Sequence, residues 1–214
     1  AGGHAGVLAI HAANNAFRGW KEYEQMLGLM WRDGTGHGKV HEFDVEIVDA
    51  EHPITKGMAP FSKHRDELYH KLVNSQNTKP HLLMQAMSSK ESGGTGENEP
   101  MAFTLQFDKG RIFATPMGHV WTGDLGSKTS VCEDQFRALI CRGGEWAATG
   151  TVTLGPTWTD TRVHNTLSEQ EKAEGWKLLF DGTSTAHFRG FKADRFPSQG
   201  WSVSAGELVH AAKQ

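Results

Sequence analysis

Val7-Leu8-Ala9-Ile10-His11 is a four-residue apolar run, preceded by the pair Gly2-Gly3 and closed by an imidazole. No polar position alternates through it. Such a run suits a strand covered on both faces, as in a parallel sheet. Trp20, Tyr23, Leu27 and Met30 follow at i, i+3, i+7 and i+10, the apolar stripe of a helix. Strand, histidine, helix is therefore the first unit. In an open α/β sheet, ligands bind beyond the carboxyl ends of the strands, so His11 stands where chemistry is expected.

Further along, Gly34, Gly36 and Gly38 place His37 in a loop. From His41 the period becomes two: His41, Phe43, Val45 and Ile47 share one face, and Glu42, Asp44 and Glu46 the other. This predicts a half-buried strand ended by His52-Pro53, because Pro lacks a donor and restricts its predecessor. Leu82-Leu83-Met84 predicts a core strand. Met101, Phe103, Leu105 and Phe107 alternate, Asp108-Lys109-Gly110 turns the chain, and Arg111 to Thr115 returns as a hairpin partner. Pro116-Met117-Gly118-His119 closes that strand. Ser130 and Glu133 have capping-box spacing before a helix with Phe136, Leu139 and Ile140 inward, and Arg142 with Gly143-Gly144 reads as its stop. Cys132 and Cys141 fall in this one predicted helix, about 13 Å apart at helical rise, too far for a disulfide.

The 214 residues suffice for one large domain or two small ones. No run approaches a membrane span of ~20 apolar residues, and a net charge of -3 without a basic stripe removes the electrostatic case for nucleic acid. Ala1-Gly2-Gly3-His4 has no signal-peptide character and reads as the interior of a longer protein. Thr149 to Thr166, with Gly155-Pro156, reads as a linker. Beyond it, Trp176 to Phe180, Trp201-Ser202-Val203 and Leu208-Val209 predict short strands of an all-β unit. The organisation expected is residues 1–148, 149–172 and 173–214: domain, linker, and the opening of a second domain.

Several stretches resemble the ThuA-like (trehalose-utilisation) family: Gly2-Gly3 with the strand ending at His11, Ala12-Ala13-Asn14-Asn15, Trp20 to Gly28, Asp49 to Gly57, Asp66-Glu67-Leu68-Tyr69, and Gly110-Arg111-Ile112-Phe113 through Gly118-His119. The resemblance implies an α/β fold, the flavodoxin-like three-layer type of class I glutamine amidotransferases, here lacking its first strands. Residues 175–214 resemble the start of the 3-keto-disaccharide hydrolase family through Gly175-Trp176, Leu178 to Gly182, Phe188-Arg189-Gly190 and Gly200-Trp201 to Leu208. That implies a partial β-sandwich segment. Together the two resemblances imply a carbohydrate substrate and a periplasmic or cell-envelope address, and they leave the oligomeric state open.

The candidate catalytic residues are His11, Glu67 and His119. If their strands run parallel, His11 and His119 emerge on one edge of the sheet. The resemblance implies that they occupy the nucleophilic-Cys and catalytic-His positions of the amidotransferases. Without the thiol, no thioester can form, so an imidazole pair suits proton transfer or metal binding instead. Glu67 and Tyr69 are expected to face the cleft, with Asp66 opposite. Asn14, Tyr69 and Trp121 are candidates to hydrogen-bond and stack on a pyranose. His41, with His11, Glu67 and His119, would offer a mixed N/O ligand set for a divalent ion such as zinc or manganese. The i, i+4 pair His37 and His41 would suit zinc on a helix, which the glycines oppose. His52, His64, His70 and His81 read as ordinary surface or core residues. The function expected is processing of 3-keto sugars or glycosides by histidine acid/base chemistry, metal-assisted or not, with hydrolysis, elimination and isomerisation all open. The alternative is a non-catalytic carbohydrate-binding module serving the adjacent domain.

Overall fold

The computed structural model describes residues 5–120, 128–158, 165–197, 199–204 and 206–210. The chain divides into two compact units between Thr159 and Asp160. In the first unit a six-stranded sheet has the order β1-β8-β7-β6-β3-β4. Its strands are β1 (Val7–Ile10), β3 (His41–Ile47), β4 (Phe61–Asp66), β6 (His81–Met87), β7 (Asn98–Phe107) and β8 (Gly110–Thr115). A separate two-residue pair joins β2 (Gly36–His37) to β5 (Tyr69–His70).

The apolar run at residues 7–10 forms the strand expected of it, but at an edge of the sheet. Its sheet neighbour is β8, in parallel register from Val7↔Ile112 to Ile10↔Thr115, and Leu8 remains 39% exposed. The other pairings are antiparallel, so the fold is mixed α/β rather than an all-parallel sheet. The hairpin β7–β8 turns at Asp108-Lys109 between Phe107 and Gly110, as the turn chemistry predicts. The alternation in β3 also holds, with Phe43 and Val45 buried and Glu42, Asp44 and Glu46 exposed.

Helices cover both faces. Alternating residues of β8 divide between two apolar clusters. Ile112 and Ala114 pack with Leu27 of α1 (Lys21–Leu27), and Phe113 with Phe136 and Leu139 of α3 (Asp134–Thr149). The first helix is shorter than its stripe predicts. Gly28, at φ 73, ends it, and Met30 pairs instead with Val73 while remaining fully buried.

The second predicted helix is divided into α2 (Lys128–Cys132) and α3, and the capping box does not form. Glu133 is the N-cap of α3, but its carboxylate is taken by His64 at 2.7 Å. Gly143-Gly144 does not stop α3, which runs on to Thr149 and ends at Gly150 with φ 85. Gly143 is there for closeness: a Cβ would lie 2.2 Å from Phe113 Cδ1. Residues 151–154, read as linker, lie against α3, where Glu145 accepts the Thr153 and Leu154 amides and Arg142 donates to the Leu154 carbonyl. Cys132 and Cys141 are both free.

In the second unit, Ser168 and Glu171 form a full capping box on α4 (Glu169–Ala173), and β9 (Trp201–Ser204) pairs antiparallel with β10 (Glu207–His210). The strand expected over Trp176 to Phe180 is absent; Trp176 and Leu179 are exposed there. Among the described residues of this unit the sheet structure is this one two-stranded hairpin. No helix among the described residues is long and apolar enough to cross a membrane.

Phe113 is fully buried and its ring cannot step aside. Gly143→Ala therefore forces α3 off the sheet and is expected to cost about 1–3 kcal/mol, measured by urea unfolding of the whole chain.

Candidate functional site

Parallel pairing of β1 with β8 makes the chain leave the sheet twice at one edge. His11 follows Ile10 at once, while Pro116 to His119 follow Thr115, the residue paired with Ile10. His11 adopts φ 47, a left-handed conformation costly for a side chain with a Cβ. Its Nδ1 lies 2.9 Å from the Pro116 carbonyl oxygen. A carbonyl can only accept, so Nδ1 carries the proton and the lone pair of the neutral ring lies on Nε2. That Nε2 receives the Tyr69 hydroxyl at 2.9 Å and lies 3.3 Å from His119 Nδ1.

Glu67 reaches the same point from the segment between β4 and β5. Its Oε2 lies 3.1 Å from His119 Nδ1 and 3.9 Å from His11 Nε2, and its Oε1 lies 3.6 Å from His37 Nδ1. The side chains of His11, Glu67 and His119 are each 13–14% exposed. They sit in an open hollow of about 680 Å³ with Ala12, Asn15, Trp31, His37, Val40, Tyr69 and Val120. Burial, followed by the charges of Glu67 and Asp66, holds the Tyr69 phenol well above its ordinary range, so it stays an O–H donor. One ligand atom from each of His11, Glu67 and His119 lies within 4.8 Å of the others.

Of the residues singled out from sequence, His11, Glu67, Tyr69 and His119 come together. Asn14 does not: it is buried, its side-chain oxygen has no hydrogen-bond partner among the described residues, and its backbone carbonyl accepts from Trp31 N. The segment after His11 is a 3-10 turn, His11–Asn15, in which residues three apart eclipse. Ala12 and Asn15 consequently face the hollow. His41 is also elsewhere. Its Nδ1 donates to the Lys39 carbonyl, its ring leans on Phe43, and it lines a separate hollow with Lys63 and Met87. It is not part of the histidine–glutamate cluster. Trp121 lies outside the described residues. His37 is in β2, opposite Tyr69, so the helical zinc spacing with His41 does not arise.

Sequence reading missed what lies beneath. Asp66 is 1% exposed and accepts the amides of Glu67, Gly118 and His119 at 2.7, 2.6 and 3.1 Å. His64 Nε2 lies 3.3 Å from the same carboxylate, and His64 Nδ1 lies 2.7 Å from Glu133 Oε2. Asp66 thus fixes the backbone of His119, while Glu67 engages its ring. The signal was available: His64 and Asp66 are two apart in a strand and must share a face. Trp31 had no comparable signal, since it follows a helix that stops early.

The ThuA family model, described as trehalose utilisation, matches residues 1–147. This chain belongs to the ThuA family. A putative ThuA-like protein from Parabacteroides merdae is 32% identical, with a TM-score of 0.62 over 71% of this chain and 63% of its own. Another, from Bacteroides uniformis, is 17% identical with a TM-score of 0.47, over 72% of this chain and 62% of its own. The ThuA chain described here thus spans just under two thirds of the length of these relatives. No curated protein matches it.

Burial, the largest influence on His64, opposes its protonation, but hydrogen bonds and charges from Asp66 and Glu133 outweigh it and raise the pKa. A histidine with a raised folded-state pKa stabilises the fold fully below its unfolded value, about 6.5. That contribution is lost as pH rises through the folded value. Relative to His64→Gln, the wild type is expected to gain most in urea midpoint below pH ~6.5 and progressively less above it.

Proposed function

We propose that the hollow is an enzyme site that transfers protons on a carbohydrate, with His11 and His119 as the exchanging groups. The observation that carries the reading is the convergence of His11 Nε2, His119 Nδ1 and Glu67 Oε2 within 3.1–3.9 Å on the floor of an open hollow. His11 is fixed as a base, because its other nitrogen is tied to a carbonyl. Glu67 stabilises positive charge on either ring, and Tyr69, kept protonated, supplies a hydrogen bond to an oxygen that replaces His11 Nε2 as its acceptor. The family description supports a carbohydrate substrate, and the resemblance of residues 175–214 narrows the proposal to 3-keto sugars or glycosides. In the same reading the second unit opens a 3-keto-disaccharide hydrolase β-sandwich, with β9–β10 as its first hairpin.

One observation favours a second reading of the same groups, as a divalent metal site. Two imidazoles and a carboxylate with ligand atoms within 4.8 Å fit zinc or manganese, and three protein ligands leave a position for a substrate oxygen. His11 also donates its other ring N–H to the Pro116 carbonyl, as metal-binding histidines commonly do to a backbone oxygen. A bound ion would polarise a keto or hydroxyl oxygen. The chain's own part is then to present His11 Nε2 and Glu67 while Asp66 holds the His119 backbone in place.

His11→Ala and His119→Ala, made in a protein carrying both units, are each expected to lower turnover of a 3-keto glucoside roughly 100- to 10,000-fold. Unaltered turnover in both variants would reject catalysis and leave a carbohydrate-binding module. Elemental analysis separates the two readings. About one zinc or manganese per chain, lost in Glu67→Gln, is the metal outcome, whereas full activity in metal-free protein leaves acid–base chemistry alone.

A further inference from the structure

Resting on the carbohydrate reading, we infer that the ligand is an uncharged pyranoside and that Trp31 is the wall on which its apolar face stacks. A pyranose has two kinds of surface, a face of C–H groups and an edge of hydroxyls. The hollow has the same division. Trp31 meets Tyr69 edge to face at 4.5 Å and 68°, and His37 lies 5.8 Å from its ring. Asn15, His37 and Glu67 supply polar groups around the same space. An aromatic lining with a few convergent polar groups is the usual make-up of a small-ligand site, and of the two aromatic residues Trp31 and Tyr69 the Trp offers the larger rigid apolar face.

Trp31 is also held before any ligand arrives. Its amide donates to the Asn14 carbonyl at 3.0 Å, and its own carbonyl accepts from Arg32 Nη1 at 2.8 Å. Arg32 is fixed in turn by Glu24 at 2.7 Å, whose carboxyl is held down to about 2 by hydrogen bonds from Ser75 and Arg32. A preorganised wall loses little freedom on binding.

The charge class follows from what lines the hollow. Its described lining residues include the carboxylate of Glu67 and the imidazoles of His11, His37 and His119, but no Lys or Arg. The neighbouring guanidinium of Arg32 is committed to Glu24 and to the backbone carbonyls of Asn14, Ala16 and Trp31. Phosphate and carboxylate sites are built from bidentate arginine, lysine or a helix N-terminus. Here an anionic sugar would meet a carboxylate already shared among three imidazoles.

Calorimetric titration of the whole chain tests this with α,α-trehalose and methyl α-glucopyranoside against trehalose 6-phosphate and glucuronate. The neutral sugars are expected to bind at least about tenfold more tightly than the anionic ones, and Trp31→Ala to weaken neutral binding by about tenfold. Trp31→Phe keeps an aromatic face and is expected to stay within about threefold of wild type. Anionic sugars that bind as well as neutral ones, neutral sugars that do not bind at millimolar concentration, or Trp31 variants that all bind like wild type would each overturn the inference. If Trp31→Ala does not fold, the wild-type charge comparison and Trp31→Phe against Trp31→Leu decide it. Because the titration reads binding without turnover, the two readings fail separately. Sugar bound normally by a His11→Ala variant of undiminished turnover sinks the catalytic reading alone, and turnover that needs His11 on an anionic sugar sinks this one alone.

Discussion

The direction of one strand pair governs everything else in the first unit. With β1 and β8 parallel and Ile10 opposite Thr115, the chain turns out of the sheet twice at the same edge. An antiparallel pair in the same place would send residues 11 and 119 to opposite ends of the sheet. The pair is held by a close helix as well as by its ladder. A side chain at Gly143 would strike Phe113 at 2.2 Å, and one at Gly6 would strike the Ala147 carbonyl at 2.3 Å. Glycine at both positions lets α3 approach nearer than larger residues would, in a core where packing tolerates little added volume.

A buried carboxylate then converts this approximate meeting into a fixed geometry. Asp66 accepts three backbone amides and contacts His64, and the same imidazole reaches Glu133 at the start of α3. Buried charge is expensive unless fully partnered. Here two of the donors that satisfy it, the Gly118 and His119 amides, belong to the turn carrying His119. Neighbouring residues in an extended chain point opposite ways, so Asp66 points inward to the backbone of that turn and Glu67 outward to its imidazole. Holding the turn and lining the hollow are divided between two adjacent carboxylates.

Much of this was legible in the amino-acid pattern, for definite reasons. The apolar run at 7–10, the alternation of β3 and the Asp108-Lys109-Gly110 turn are local signals, and each produced its element. The period-two rule also placed Glu67 and Tyr69 in the hollow and Asp66 away from it. Failures came where a long-range contact overruled local preference. Glu133 has the spacing of a capping box but bonds a histidine 69 positions away. Gly143 resembles a helix stop but serves packing. Trp31 and Asn15 reach the hollow because α1 ends early and because the turn after His11 is 3-10, and neither event is written in a hydrophobic period.

The hydrogen-bond count at His11 limits what can happen in the site. Its Nε2 has one lone pair, yet two possible donors approach it, Tyr69 Oη at 2.9 Å and His119 Nδ1 at 3.3 Å. One lone pair serves one strong donor. The Tyr69 phenol is nearer and keeps its proton at neutral pH, since burial and then the Glu67 and Asp66 charges hold it well above its ordinary range. The proton on His119 Nδ1 therefore goes to Glu67 Oε2 at 3.1 Å, where it meets a charge. Any ligand that uses His11 as a base, or any cation that uses it as a ligand, must first displace the Tyr69 hydroxyl. The displaced O–H then turns from the protein to whatever has arrived, so that in the proposed enzyme site the step that seats a ligand is also the step that frees the His11 lone pair.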